Sequence, residues 1–134
     1  MERDLQQFLQ HIKDNDKFGY SLLGIVTEEI SPEYVRASLV IEDKHMNPWG
    51  ITHGGVIFTL VDTAAGFGIA AGNDDTVTLS TYISYIAPSK EGKIYAEARR
   101  VSDTYRMSNY EVMVTHEDGT LLATAQTIMY KKKK

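Results

Sequence analysis

The residues of this 134-residue chain whose types and spacing could do chemistry fall in one stretch, Asn47 to Gly72, with the sequence NPWGITHGGVIFTLVDTAAGFGIAAG. Thr52-His53-Gly54-Gly55 follows a Pro-Trp-Gly loop and opens a helix. The first turn of a helix leaves about four backbone N–H groups without intrahelical partners. Such donors can bind an oxyanion. Two glycines clear the approach of a ligand carbonyl, and the positive end of the helix dipole favours developing negative charge. Asp62 lies seven residues beyond Gly55, about two turns on, and so projects from a similar helical face. Its neighbours on that face, Phe58, Thr59, Ala65 and Gly66, include three small residues, which leave room for a substrate or a partner backbone. One short segment thus supplies an amide (Asn47), an imidazole (His53), free N–H donors and a carboxylate.

The helix that carries these groups has no polar face. Beyond Gly55, the apolar residues Val56, Ile57, Phe58, Leu60, Val61, Ala64, Ala65, Phe67, Ile69, Ala70 and Ala71 fall on every side, the pattern of a buried helix that must be covered all round. Asp62 is its single charge, and a carboxylate in apolar surroundings costs on the order of several kcal/mol unless paired, solvated or protonated. Each candidate also has a plainer reading. His53 could cap the helix, Gly54 and Gly55 could serve close packing, and Asp62 could be the ion-pair partner of Arg36, Arg99, Arg100 or Arg106.

The flanking segments read as sheet. Leu5, Phe8, Leu9 and Ile12 recur at helical spacing and predict an amphipathic helix ending near Asn15. Tyr20 to Ile30 and Tyr34 to Ile41 read as two strands of a hairpin around Ser31-Pro32-Glu33. After a break at Asn73-Asp74-Asp75, Val77 to Tyr85 alternates as a long strand. Lys93 to Ser102, Arg106 to His116 and Leu121 to Tyr130 follow, separated by turns at Glu91-Gly92, Ser102-Asp103 and Glu117-Asp118-Gly119. Consecutive hairpins imply an antiparallel sheet, here of about six strands. A sheet that must bury an apolar helix curls around it, leaving the helix's other side for the N-terminal helix or a second subunit.

With 43% apolar residues, the chain suits one domain over 1–134. Its net charge of −4 argues against a strongly basic nucleic-acid surface, and the Lys131 to Lys134 tail reads as solvated charge. Cysteine is absent, which excludes disulfides, thiolate metal sites and a cysteine nucleophile. His11, His45, His53 and His116 are scattered, so no metal cluster is expected. No signal peptide and no membrane span are read, making the cytoplasm the default location.

Asn47-x-x-Gly50-x-x-His53-Gly54-Gly55, then Asp62 inside an apolar helix, then an antiparallel sheet, resembles the hotdog-fold acyl-CoA thioesterases, specifically the PaaI-type phenylacetate-pathway group. The resemblance spans nearly the whole chain. It implies an α+β architecture in which a curved antiparallel sheet wraps a long central helix. It also implies homodimers joined sheet edge to edge, often paired into tetramers, with Asp62 of one subunit facing the His53-Gly54 turn of the other. Gly54 would offer its N–H to the thioester oxygen, assisted by Asn47, with Gly55 beside the substrate. His53 would hold Asn47 or support the departing thiolate. Asp62 would act as general base or attack directly. Thr78, or Ser80 on the same strand face, would be an assisting hydroxyl. Lys90, Arg99, Arg100 and Arg106 are candidates for the phosphates of coenzyme A. A thioester lacks amide resonance, so this chemistry needs no metal or cofactor. Two other functions fit such a fold: an enoyl-thioester hydratase or dehydratase, and a non-catalytic acyl-CoA binding protein.

Overall fold

The computed structural model describes residues 4–71 and 75–132. The break assigned to Asn73 and Asp74 and the last two lysines of the tail, Lys133 and Lys134, lie outside them. In chain order the elements are α1 (Leu5–Asn15), a π-helical turn (Lys17–Leu22), β1 (Val26–Ile30), β2 (Tyr34–Val40), a 3-10 turn (Asp43–His45), α2 (Gly54–Ala71), β3 (Thr76–Tyr85), β4 (Lys93–Asp103), β5 (Met107–His116) and β6 (Leu121–Lys131). The six strands form one curved antiparallel sheet around α2, as the resemblance implies. Among the described residues no helix is long and apolar enough to cross a membrane.

The strand order is β1-β2-β4-β5-β6-β3. The hairpins β1-β2, β4-β5 and β5-β6 follow the sequence reading, whereas β3 does not pair with β4. The helix between β2 and β3 carries the chain across the concave face, so β3 adds to the far edge beside β6 and β4 returns to pair with β2. Two boundaries also shift. The apolar run after Tyr20 is a turn rather than a strand, because the Asp16 carboxylate accepts from the Gly19 N–H at 3.0 Å and Gly24 takes a positive φ of 82° before the strand begins. The expected Ser102-Asp103 turn lies inside β4, which runs on to Asp103 past a bulge.

Val56, Ile57, Leu60, Val61, Ala64 and Ala65 pack α2 against Val35, Ala37, Leu39, Ile94, Ala96, Val112 and Val114 of the sheet. At the C-terminal end, Phe8 and Ile12 of α1 meet Ala71, with Phe67 edge-on to Phe8 at 6.0 Å between ring centroids. This covers only part of the helix. Phe58 and Gly55 are exposed, and Thr59, Asp62 and Gly66 are half-buried along one stripe. The expectation of a helix covered on all sides is therefore not met within one chain.

Candidate active site

The loop before α2 is pinched by a bridge between Met46 and Thr52 and presents Asn47 between them. The side-chain oxygen of Asn47 accepts from the N–H groups of Trp49 (2.9 Å) and Ile51 (3.2 Å), so the donors of its Nδ2 are what it can offer a ligand. The loop, not His53, thus fixes Asn47, which corrects that part of the expected role of His53.

His53 instead caps the helix. Its Nδ1 accepts from Gly55 N–H at 2.8 Å, and its backbone oxygen accepts from Val56 N–H at 2.9 Å. These bonds consume the first-turn donors one by one. Only the Gly54 N–H has no partner among the described residues, so the open donor is Gly54 and not Gly55. With Nδ1 accepting, the proton of a neutral His53 sits on Nε2. Tyr85, at the inner end of β3, donates from its hydroxyl to the Gly54 carbonyl at 2.9 Å, and burial raises its pKa. A methyl added at Gly54 would lie 3.4 Å from that ring. Asn47, Gly54 and Tyr85 share a cleft of about 420 Å³ with Ile57, Pro88 and Ser89.

Asp62 faces a different cleft, of about 510 Å³, walled by Phe8, Ile12, Phe18, Thr59, Gly66 and Met129 among others. Thr78 donates from Oγ1 to Asp62 Oδ1 at 2.7 Å and also lies 3.6 Å from the Met129 sulfur. The expected hydroxyl is therefore beside the carboxylate. Ser80 is not, because a bulge between them moves the register: Thr78 pairs with inward-facing Met129, Ser80 with Ile128 on the other face. Among the described residues no arginine pairs with Asp62. Arg36 is held by Glu28 (3.5 Å), Arg99 by Glu97 (3.6 Å) and Arg100 by Glu33 (3.4 Å) and Asp103 (3.6 Å). Arg106 lies against the Tyr105 ring and the Tyr130 hydroxyl.

Arg99, Arg100 and Arg106 line neither cleft, so one chain does not gather them as a phosphate site. Lys90 is exposed next to Ser89, at the rim of the Gly54 cleft. Sequence reasoning left two contributors undistinguished from core or scattered residues: Tyr85, whose signal is its place on the inward phase of β3, and His45, two residues before Asn47, which proves fully buried.

The two clefts share no residue. Asp62 lies eight residue steps along the helix from Gly54, about 12 Å along the axis at about 1.5 Å each, too far for both to engage one carbonyl centre.

The sequence matches the thioesterase superfamily over residues 50–123. It is 30% identical over 132 residues to an Archaeoglobus fulgidus protein provisionally named an esterase, covering 93% of this chain and 84% of that one. It is 31% identical over 119 residues to 1,4-dihydroxy-2-naphthoyl-CoA thioesterase 2 of Arabidopsis thaliana, covering 81% and 76%. Among solved structures, a thioesterase from Pseudomonas aeruginosa, solved as a mutant, superposes with a TM-score of 0.86 at 22% identity, covering 98% and 95%. A Streptococcus mutans protein solved with acetyl CoA bound gives 0.78 at 28% identity, covering 82% and 90%.

Proposed function

The chain belongs to the thioesterase superfamily, and we propose that it hydrolyses acyl-CoA thioesters to the free acid and coenzyme A as a member of the PaaI-type group. The observation that carries this reading is Asp62: a carboxylate on an apolar helix with no cationic partner among the described residues, held by one hydroxyl in the lining of a cleft. A structural carboxylate would be paired; this one is oriented and left open. The Thr78 bond occupies Oδ1, so Oδ2 can take a proton from water or attack the thioester itself. The Gly54 N–H and the Asn47 amide would receive the negative charge that develops on the carbonyl oxygen as the nucleophile adds, before the C=O re-forms and the C–S bond breaks to release the thiolate. The acetyl CoA bound to the S. mutans protein supports a coenzyme A thioester as the substrate class.

In this reading the two halves of the site meet across a homodimer, each Asp62 working with the partner's Gly54 turn. The exposed stripe of α2 and the free edge of β3 support such pairing.

The test is release of free thiol from a panel of acyl-CoAs, with Asp62→Asn beside wild type. Asn keeps the Thr78 hydrogen bond but loses basicity and nucleophilicity. Turnover should fall by about two orders of magnitude or more, the low end of general-base contributions. Melting should shift little, since the bond retained is worth about 1 kcal/mol. Near-normal turnover in Asp62→Asn would remove the assignment.

A further inference from the structure

His45 is the one histidine with no exposed surface, and it is not part of either cleft. Its ring is used at both ends. Nδ1 accepts from the Glu42 N–H at 2.9 Å, which puts the proton of the neutral ring on Nε2, and Nε2 donates to the Leu23 carbonyl at 2.8 Å. Its backbone oxygen accepts from the His53 N–H at 2.8 Å. Leu23 ends the π-helical turn whose Phe18 and Gly19 wall the Asp62 cleft. His45 therefore ties the start of the Asn47 loop, and through its carbonyl the cap of α2, to the wall of the other half-site.

The far end of that loop is anchored separately. Thr52 donates from its N–H (2.8 Å) and its hydroxyl (3.0 Å) to the Ser89 carbonyl. Asn47 hangs between the two anchors. At the Thr52 end the Ser89 hydroxyl also donates to Thr52 Oγ1 at 3.0 Å, whereas at the other end the imidazole is the side chain that reaches across to the Leu23 turn, beside the backbone bonds of Met46 N–H to Asp43 and Asn47 N–H to Ile51. An imidazole suits the position because it donates and accepts at opposite edges of a rigid ring without bringing a charge into the core, which Lys or Arg would do.

We propose that His45 is a positioning residue: its Nε2–H to Leu23 holds the Asn47–Gly54 segment at the geometry needed to receive the thioester oxygen. The proposal rests on the thioesterase reading for its kinetic arm, and has a second arm that does not. Trp49, the only tryptophan, sits in this loop with 82% of its surface exposed, so its fluorescence anisotropy reports the loop's order directly.

Two variants separate the ends of the ring. In His45→Asn the amide oxygen falls near Nδ1 and can still accept from Glu42, but nothing reaches Leu23. In His45→Gln the amide nitrogen falls near Nε2 and can reach Leu23, while the Glu42 N–H, on an exposed residue, can turn to water. His45→Asn should lower Trp49 anisotropy and reduce kcat by about 10- to 100-fold, with KM within about 3-fold, the scale of a roughly 1 Å misplacement of a catalytic group. His45→Gln should hold both readouts near wild type. Wild-type anisotropy and turnover in His45→Asn would overturn the proposal, as would equal losses in both variants. Should His45→Asn fail to fold, folded His45→Gln decides alone, with a loosened Trp49 overturning it. If wild type cleaves none of the acyl-CoAs, the thioesterase reading fails, and the anisotropy comparison still decides the role of His45.

Discussion

If the carboxylate and the oxyanion donors of one site come from different subunits, two inactive variants must rescue each other. Take Asp62→Asn, which lacks the base, and Asn47→Ala, which lacks the amide donor. Each homodimer carries the same lesion in both of its sites. In a mixed dimer, the wild-type Asp62 of the Asn47→Ala chain faces the wild-type Asn47 of the Asp62→Asn chain, so one site is intact and the other carries both lesions. Random exchange of equal amounts makes about half of all dimers mixed, each with one working site of two, so activity should recover to about a quarter of wild type. The expectation follows from the roughly 12 Å of helix between Gly54 and Asp62 and from their separate clefts. The assay is thiol release after the variants are unfolded and refolded together, with each refolded alone as the baseline. Activity that stays at the baseline although mixed dimers are demonstrated by mass would place both groups of a site in one chain and refute the argument.

Other outcomes follow from single contacts. Gly54→Ala should fold normally, since Gly54 is not among the glycines with positive φ, yet its methyl would crowd the open N–H and the Tyr85 ring at 3.4 Å; we expect turnover to fall by about tenfold or more with an unchanged melting temperature, checked by kinetics beside calorimetry. Gly68→Ala should destabilise by about 1 kcal/mol or more in chemical denaturation despite its better helix propensity, because the added Cβ would come within 3.0 Å of Tyr110, which is buried and held by its hydroxyl on the Pro32 carbonyl. Burial pushes the Glu28 carboxyl up, but hydrogen bonds from Lys93 and Ser38 and the charges of Lys93 and Arg36 outweigh it and hold its pKa below 4.5. That stabilisation is present above the unfolded value and lost as pH falls through the folded one, so the melting-temperature gap between wild type and Glu28→Gln should shrink between about pH 6 and about pH 3.

The parts of this fold that sequence made legible are those written in local periodicity. An 18-residue run with one charge can only be a central helix, and alternation marked β2 and β4 through β6 to within a few residues. Position across the sheet is not local. The same alternating pattern in β3 would serve a neighbour of β4 or an edge, and only the path of α2 over the concave face decides. Apolar residues on the open stripe of α2, Phe58 above all, read the same in sequence as those of the core, since hydrophobicity does not say which surface does the covering. In the candidate site, Asn47, Gly54 and Asp62 stood out because one short segment supplies an amide, a helix N-terminal donor and a carboxylate, while Thr78 came from the family resemblance alone. Ser80 was not excluded because a one-residue bulge leaves no signature in the residue types. Gly55 was not separated from Gly54 because the difference lies in which N–H the His53 ring consumes.

Two oddities of the single chain have the same remedy. β3 is ten residues long, pairs with β6 on one side only, and exposes Val77 and Leu79 at 47% and 57%. A long apolar edge of this kind invites another strand. Alongside it, α2 leaves Phe58 exposed and Thr59 and Gly66 half-buried around Asp62. A second copy related by a two-fold axis beside β3 would pair the two edges antiparallel and bring each open helix stripe toward the other, since an isologous contact uses the same surface twice. The small residues on the stripe, Thr59 and Gly66, then keep the helices from closing on the carboxylate. One symmetry operation would thus cover the β3 edge, cover the helix stripe and bring the Asp62 of one chain toward the Gly54 turn of the other.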